Sequence, residues 1–185
     1  AWREAILANP GFQELEDIAA AQDRVVAEGI GDPSRMVLAG GSWGGYLALL
    51  GAGTQPQRWA LGIASVPLGD LAHAYQDAAE PLKEYDRALF GGTPEEVPEQ
   101  YRKRSPVTYA ADVRAPLLIV AGRNDPRCPI AQVQSYAARL AELGKEHELY
   151  EYDAGHGSFV VDEQIRQTEL ALGFAARHLG TPEPL

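Results

Sequence analysis

The chain has 185 residues, 45% of them hydrophobic, and a formal net charge of −10, which allows one domain with a substantial core and argues against two large ones. The acidic balance argues against nucleic acid or an anionic membrane surface as partner, and no apolar run nears the roughly 20 residues of a bilayer span. Cys128 is the only cysteine, so no internal disulfide can form and a reducing, cytoplasmic compartment is expected; Ala1-Trp-Arg-Glu4 has charge but no apolar stretch after it, unlike a signal segment.

Residues 12–29 carry Leu15, Ile18, Ala19, Val25 and Val26 near helical spacing, with Gly29 placed to end the helix. Asp32-Pro-Ser34 is a turn. Met36-Val-Leu-Ala39 is short and wholly apolar, as a strand buried on both faces should be, and a second helix follows to about Gly53. Trp59–Ser65 predicts another buried strand, closed by Pro67. Residues 70–104 are rich in charge, Pro and Gly, and read as an insertion holding two or three short helices. Pro116–Ala121 is a third buried strand, ending at Gly122. A helix over Ile130–Leu143, an alternating strand over His147–Tyr152 and a last helix over Asp162–Leu179 complete the pattern. Regular alternation of strand and helix predicts an α/β fold, a mostly parallel sheet with helices on both faces. In such sheets ligands sit beyond the carboxyl ends of the strands, where Ser42, Asp125 and His156 all fall.

Gly40-Gly-Ser42-Trp-Gly44 fits the nucleophile-elbow pattern, in which a serine sits on a tight, strained turn between strand and helix. The glycines two before and two after are expected to clear space for the crossing backbone. In a chain with 19 glycines, a glycine-rich turn with a chance serine would give the same letters. The apolar strand before the motif and the apolar helix after it supply the required context. A serine hydroxyl is a poor nucleophile at neutral pH and needs a base, which in turn needs an orienting carboxylate. The order Ser42, Asp125, His156 is that of an α/β-hydrolase. His156 stands between Gly155 and Gly157, which suggest crowding around the ring. His73, His147 and His178 are the rival bases. Asp70, Asp112 and Asp153 are the rival acids, and an aspartate beside proline, as Asp125 is, is commonly a turn residue. No Gly-Lys-[Ser/Thr] phosphate loop occurs. The histidines lack metal-ligand spacing and one cysteine cannot build a zinc site, so neither metal nor cofactor is expected. Cys128 is expected to pack as a small apolar group.

Five blocks, Gly40-Gly-Ser42-Trp-Gly-Gly-Tyr46, Ser105-Pro106-Val-Thr, Pro116-Leu-Leu-Ile-Val-Ala-Gly122, Asn124-Asp125-Pro-Arg127-Cys-Pro129 and Gly155-His156-Gly157, together resemble the prolyl oligopeptidase family of serine peptidases, in particular its acylaminoacyl-peptidase-like members. The resemblance implies the carboxy-terminal half of an α/β-hydrolase catalytic domain over residues 1–185. It implies Ser42 as nucleophile, Asp125 as orienting acid and His156 as general base. It further implies that the Trp43 N–H is an oxyanion donor and that Arg127 holds a backbone carbonyl of a bound peptide, where a surface salt bridge is the other reading of that arginine. The implied substrates are short peptides or acylated amino acids. A carboxylesterase-type acyl hydrolase is the alternative, and a catalytically inert association module is a third. Such enzymes carry an upstream strand with a second oxyanion donor and an amino-terminal β-propeller. The chain is expected to lack both, leaving one edge of the strand before Ser42 open to a partner chain or a second copy.

Overall fold

The apolar blocks become the strands of one parallel sheet. In this computed structural model, which describes residues 4, 6, 7 and 9–180, the strands are β1 (Val37–Gly41), β2 (Leu61–Ser65), β3 (Leu117–Gly122) and β4 (His147–Tyr152), in the spatial order β1-β2-β3-β4. The expectations about Ala1-Trp-Arg and residues 181–185 lie outside the described residues. The helices are α1 (Phe12–Ala27), α2 (Trp43–Thr54), α3 (Leu71–Asp77), α4 (Glu80–Phe90), α5 (Pro98–Arg104), α6 (Ile130–Glu142) and α7 (Val161–Leu179).

β3 is buried along its whole length, and its residues alternate between two cores as a pleated strand requires. Leu117, Ile119 and Ala121 face a large cluster with Leu15 of α1, Tyr46, Leu49 and Leu50 of α2, and Val133, Tyr136 and Leu140 of α6. Leu118 and Val120 face a smaller cluster closed by Phe174 of α7. Helices therefore cover both faces. Burying each leucine or isoleucine of β3 is worth about 1.5–3 kcal/mol, so this interior strand, buried at every position, is a main anchor of the sheet. α2 is hydrophobic all round and buried from Gly45 to Gly53, packed between the sheet and a 3₁₀ segment at Pro106–Asp112. No periodic pattern announces that segment, because 3₁₀ turns of this kind are fixed by packing rather than by an amphipathic repeat.

Where boundaries differ from expectation, the reason is local. β1 runs on through Gly40 and Gly41 because both still pair, with Ala64 and Ser65 of β2. Residues 70–104 hold three helices, α3 to α5. Asp70 caps α3 by accepting from the His73 N–H at 3.1 Å, and Gly91 ends α4 at φ 87°.

The register places the site. Gly41 pairs with Ser65, Ser65 with Val120, and Gly122 with Tyr152. The chain thus leaves all four strands along one rim, and the residues that follow them are brought together there. β1 pairs with β2 on one edge only, so it is the outer strand among the described residues. No described helix is long and apolar enough to cross a membrane.

Candidate active site

Ser42 occupies the single residue between β1 and α2, at φ 56° and ψ −118°. L residues rarely adopt that conformation, which costs on the order of 1–3 kcal/mol and persists only when neighbours over-determine it. Here the Ser42 N–H donates to the Ser65 carbonyl at 2.9 Å, and the Ser42 carbonyl accepts from the Tyr46 N–H at 2.9 Å. Val66, next to Ser65, is a second strained position at φ 42°, held by its own N–H donating to the Val120 carbonyl at 2.6 Å. A β-branched residue gives no sequence signal for positive φ, so this brace is not legible beforehand.

The glycines of the elbow divide differently from the expectation. A Cβ on Gly40 would lie 2.5 Å from the Gly44 backbone, and one on Gly45 would lie 2.7 Å from the Ser65 carbonyl oxygen. A Cβ on Gly44 would meet nothing within 4 Å. The close approach is therefore made by residue 40 against the backbone of residue 44, and residue 44 itself has room. Gly40→Ala is expected to destabilise the protein by about 1–3 kcal/mol, whereas Gly44→Ala should melt no lower than the parent, since alanine is the better helix former; thermal denaturation of the two variants side by side checks this.

Asp125 follows β3 and is 5% exposed. Its Oδ1 accepts the N–H groups of Arg127 at 2.8 Å and Cys128 at 3.0 Å. Its Oδ2 lies 2.8 Å from His156 Nδ1, and His156 Nε2 lies 2.9 Å from Ser42 Oγ. An ionised carboxylate only accepts, so Nδ1 carries the proton toward Asp125 and Nε2 is left to accept from the serine hydroxyl. The turn that fixes the carboxylate and the carboxylate that fixes the ring are thus one device.

The rivals are engaged elsewhere. His73 lies 4.0 Å from Asp77, His147 Nδ1 contacts the Lys145 carbonyl at 2.9 Å, and the His178 ring lies tilted against Phe174 with centroids 4.5 Å apart. Asp70 caps α3, Asp112 is exposed, and Asp153 accepts from Asn124 at 2.9 Å. The crowding expected around the His156 ring falls at Gly122 instead, where a Cβ would sit 2.1 Å from the Gly155 carbonyl oxygen. That contact holds the loop after β4 against the end of β3, so the glycine needed to seat His156 is one strand away from it.

Trp43 is the first residue of α2, where an N–H has no partner within its own helix. Its indole N–H donates to Glu14 of α1 at 3.2 Å and its ring packs on Tyr46 with centroids 4.6 Å apart. Arg127 is exposed, and its side chain lines a cavity of about 330 Å³ that opens beside Ser42. Leu68 lines the same cavity, and the loop that carries it is gripped by Gln132. That side chain is fully buried, accepts the Gly69 N–H at 2.6 Å and donates to the Pro67 carbonyl at 3.0 Å. A lone polar residue in the buried stripe of α6, one turn before Tyr136, is the sequence signal for this clamp.

Asp125, Cys128 and His156 are the one group among the described residues whose ligand atoms approach as a metal site would, within 4.8 Å of one another. The carboxylate is already bonded to the ring and the ring to Ser42, and burial pushes the Cys128 thiol up to about 12. Both carboxylate oxygens and both ring nitrogens thus already have partners, so the donor set fits a hydrogen-bonded chain better than a cation, and Cys128 is buried beside it.

A model of the prolyl oligopeptidase family matches residues 1–182. The chain belongs to that family. Acylamino-acid-releasing enzyme of Arabidopsis thaliana is 30% identical over 142 residues, which cover 74% of this chain and 19% of that protein. The crystal structure of puromycin hydrolase is 31% identical and superposes with a TM-score of 0.91, covering 98% of this chain and 28% of that one. Acylaminoacyl peptidase of Pyrococcus horikoshii is 28% identical with a TM-score of 0.86, covering 98% of this chain and 30% of that one. The chain therefore spans between about a fifth and a third of the length of these family members. Its fold is that of the α/β-hydrolase peptidases among them.

Proposed function

We propose that the protein is a serine hydrolase that cleaves short peptides or acylated aminoacyl amides through an acyl-enzyme. The observation that carries this reading is the unbroken chain Ser42 Oγ–His156 Nε2 at 2.9 Å and His156 Nδ1–Asp125 Oδ2 at 2.8 Å, set on a strained elbow in a prolyl oligopeptidase fold. Ser42 Oγ attacks the scissile carbonyl carbon while its proton passes to His156 Nε2, and the carbonyl electron pair moves onto oxygen. Asp125 keeps the imidazole oriented and stabilises the imidazolium. The Trp43 N–H, at the positive end of α2, faces the developing oxyanion. Collapse breaks the C–N bond, and His156 returns the proton to the leaving amine. Water, deprotonated by the same imidazole, then releases the acid. Arg127, exposed at the cavity mouth, has the donors to hold a peptide carbonyl of the substrate.

A carboxylesterase with the same machinery is separated by its leaving group. On matched acylated aminoacyl amides and simple esters of the same acyl group, the peptidase reading predicts amide turnover together with an initial burst on an activated ester. Ester turnover with no measurable amide cleavage would assign the site to an esterase. The outer edge of β1 carries the elbow and offers unpaired backbone groups among the described residues. A strand added there, from the same protein or a second chain, would both cover that edge and brace Ser42.

A further inference from the structure

The cavity beside Ser42 has two unlike walls. One is the elbow rim, with Ser42, Trp43, Leu68 and Cys128, and the other is built by the 70–104 insertion. Leu82, Tyr85 and Asp86 reach the cavity from one face of α4, as residues three and four apart on a helix must. Nearly everything on this second wall is apolar, so a half-buried carboxyl there is costly unless something answers it.

No group among the described residues does. Among the described residues the Asp86 carboxyl has no ion-pair or hydrogen-bond partner, and burial is the one influence on it. Arg87, its neighbour on α4, is turned to Glu80 and the Tyr75 hydroxyl, both at 2.9 Å. Lys83, one turn earlier, donates to the Gln76 carbonyl at 3.0 Å and lies over the Tyr75 ring. From α5 the Asp86 charge meets only the phenol of Tyr101, and from the loop after β3 only the thiol of Cys128. Arg127 lines the same cavity without pairing to it. Burial alone pushes the Asp86 carboxyl up to about 6, so at neutral pH an unanswered anion faces the space next to the nucleophile.

We propose that Asp86 is a specificity-determining residue: the cavity accepts the acyl-side residue of a substrate that carries an ammonium or guanidinium, its apolar stem against Leu68 and Leu82 and its cation on the Asp86 carboxylate. Long basic side chains have this division into apolar stem and charged head, and a volume near 330 Å³ holds one. The inference rests on Ser42 being the nucleophile. A terminal α-amino group offers the same chemistry as a lysine side chain, and the substrates below tell them apart.

The test uses three amides in the intact protein: N-blocked lysine, N-blocked norleucine, and leucine with a free amino group, each compared in the parent and in Asp86→Asn. The parent should prefer at least one cationic substrate over blocked norleucine by about tenfold to a hundredfold in kcat/KM, the range of a hydrogen bond to a charged group. Asp86→Asn should bring that ratio to within about threefold. The preference should be small at pH 5, grow through pH 6 as Asp86 ionises, and level off, and it should lose this pH dependence in the variant. A preference for blocked lysine assigns the cation to the side chain. A preference for free-amino leucine that also falls above about pH 8, where the α-amine deprotonates, assigns it to the terminus. Hydrolysis of blocked norleucine as fast as both cationic substrates, unchanged by Asp86→Asn, overturns the role of Asp86 and leaves Ser42 standing. Hydrolysis of none of the three overturns the nucleophile and Asp86 with it.

Discussion

Ser42→Ala is expected to lower kcat for amide hydrolysis by about 10⁶-fold, the scale seen when a triad nucleophile is removed. Among the described residues Ser42 Oγ is the hydroxyl bonded to His156 Nε2, at 2.9 Å, and the residual rate would come from binding and from the oxyanion donor. KM should change little, because the side chain contributes few contacts to the ground state. The strain at φ 56° remains with alanine, since it belongs to any residue with a Cβ. Ser42→Gly removes the nucleophile and the strain together, so it should be equally inactive yet melt higher than Ser42→Ala, by up to about 1–3 kcal/mol in stability. Steady-state kinetics with thermal melts on both variants separates the chemical role of the hydroxyl from the conformational cost of presenting it.

Asp125→Asn is expected to cost about 10⁴-fold in kcat with the fold intact. The asparagine carbonyl can keep accepting the Arg127 and Cys128 N–H groups that hold Oδ1 now. Its amide nitrogen then replaces Oδ2 at 2.8 Å from His156 Nδ1, and a nitrogen there donates where the carboxylate accepted. The imidazole answers by moving its proton to Nε2, which then points a hydrogen at Ser42 instead of a lone pair. Geometry is preserved and the base is disabled. Asp125→Ala would mix this effect with two orphaned N–H groups in a buried turn, each costing about 1–3 kcal/mol, which is why the asparagine is the cleaner variant. Loss of kcat without a fall in melting temperature is the expected result.

Ser42, Asp125 and His156 stand out as candidates in the sequence because three signals agree: apolar blocks of strand length, an elbow motif between two of them, and polar residues just after the others. The parallel register then does the rest, since it sends every strand end to one rim. What was not legible depends on contacts between distant segments. The glycine that seats His156 is Gly122, not its flanking glycines, because the crowding comes from the Gly155 carbonyl crossing the end of β3. Gly44 fits the motif as a letter, while the steric demand belongs to Gly40 and Gly45. Val66 carries strain that its residue type disfavours, held by one hydrogen bond to β3. Asp86 is one charge among many in residues 70–104 of the sequence, and only the fold, which sets α4 and Ser42 on the walls of one cavity, brings its carboxyl to the site.

Residue-resolved labelling with a fluorophosphonate tests the central claim most directly, because that reagent needs an activated serine. Peptide mapping of the intact protein should place one phosphonyl group on Ser42, with labelling strongly slowed in Asp125→Asn and absent in His156→Ala. A label on another residue, or equal labelling of Ser42 with and without His156, would contradict it.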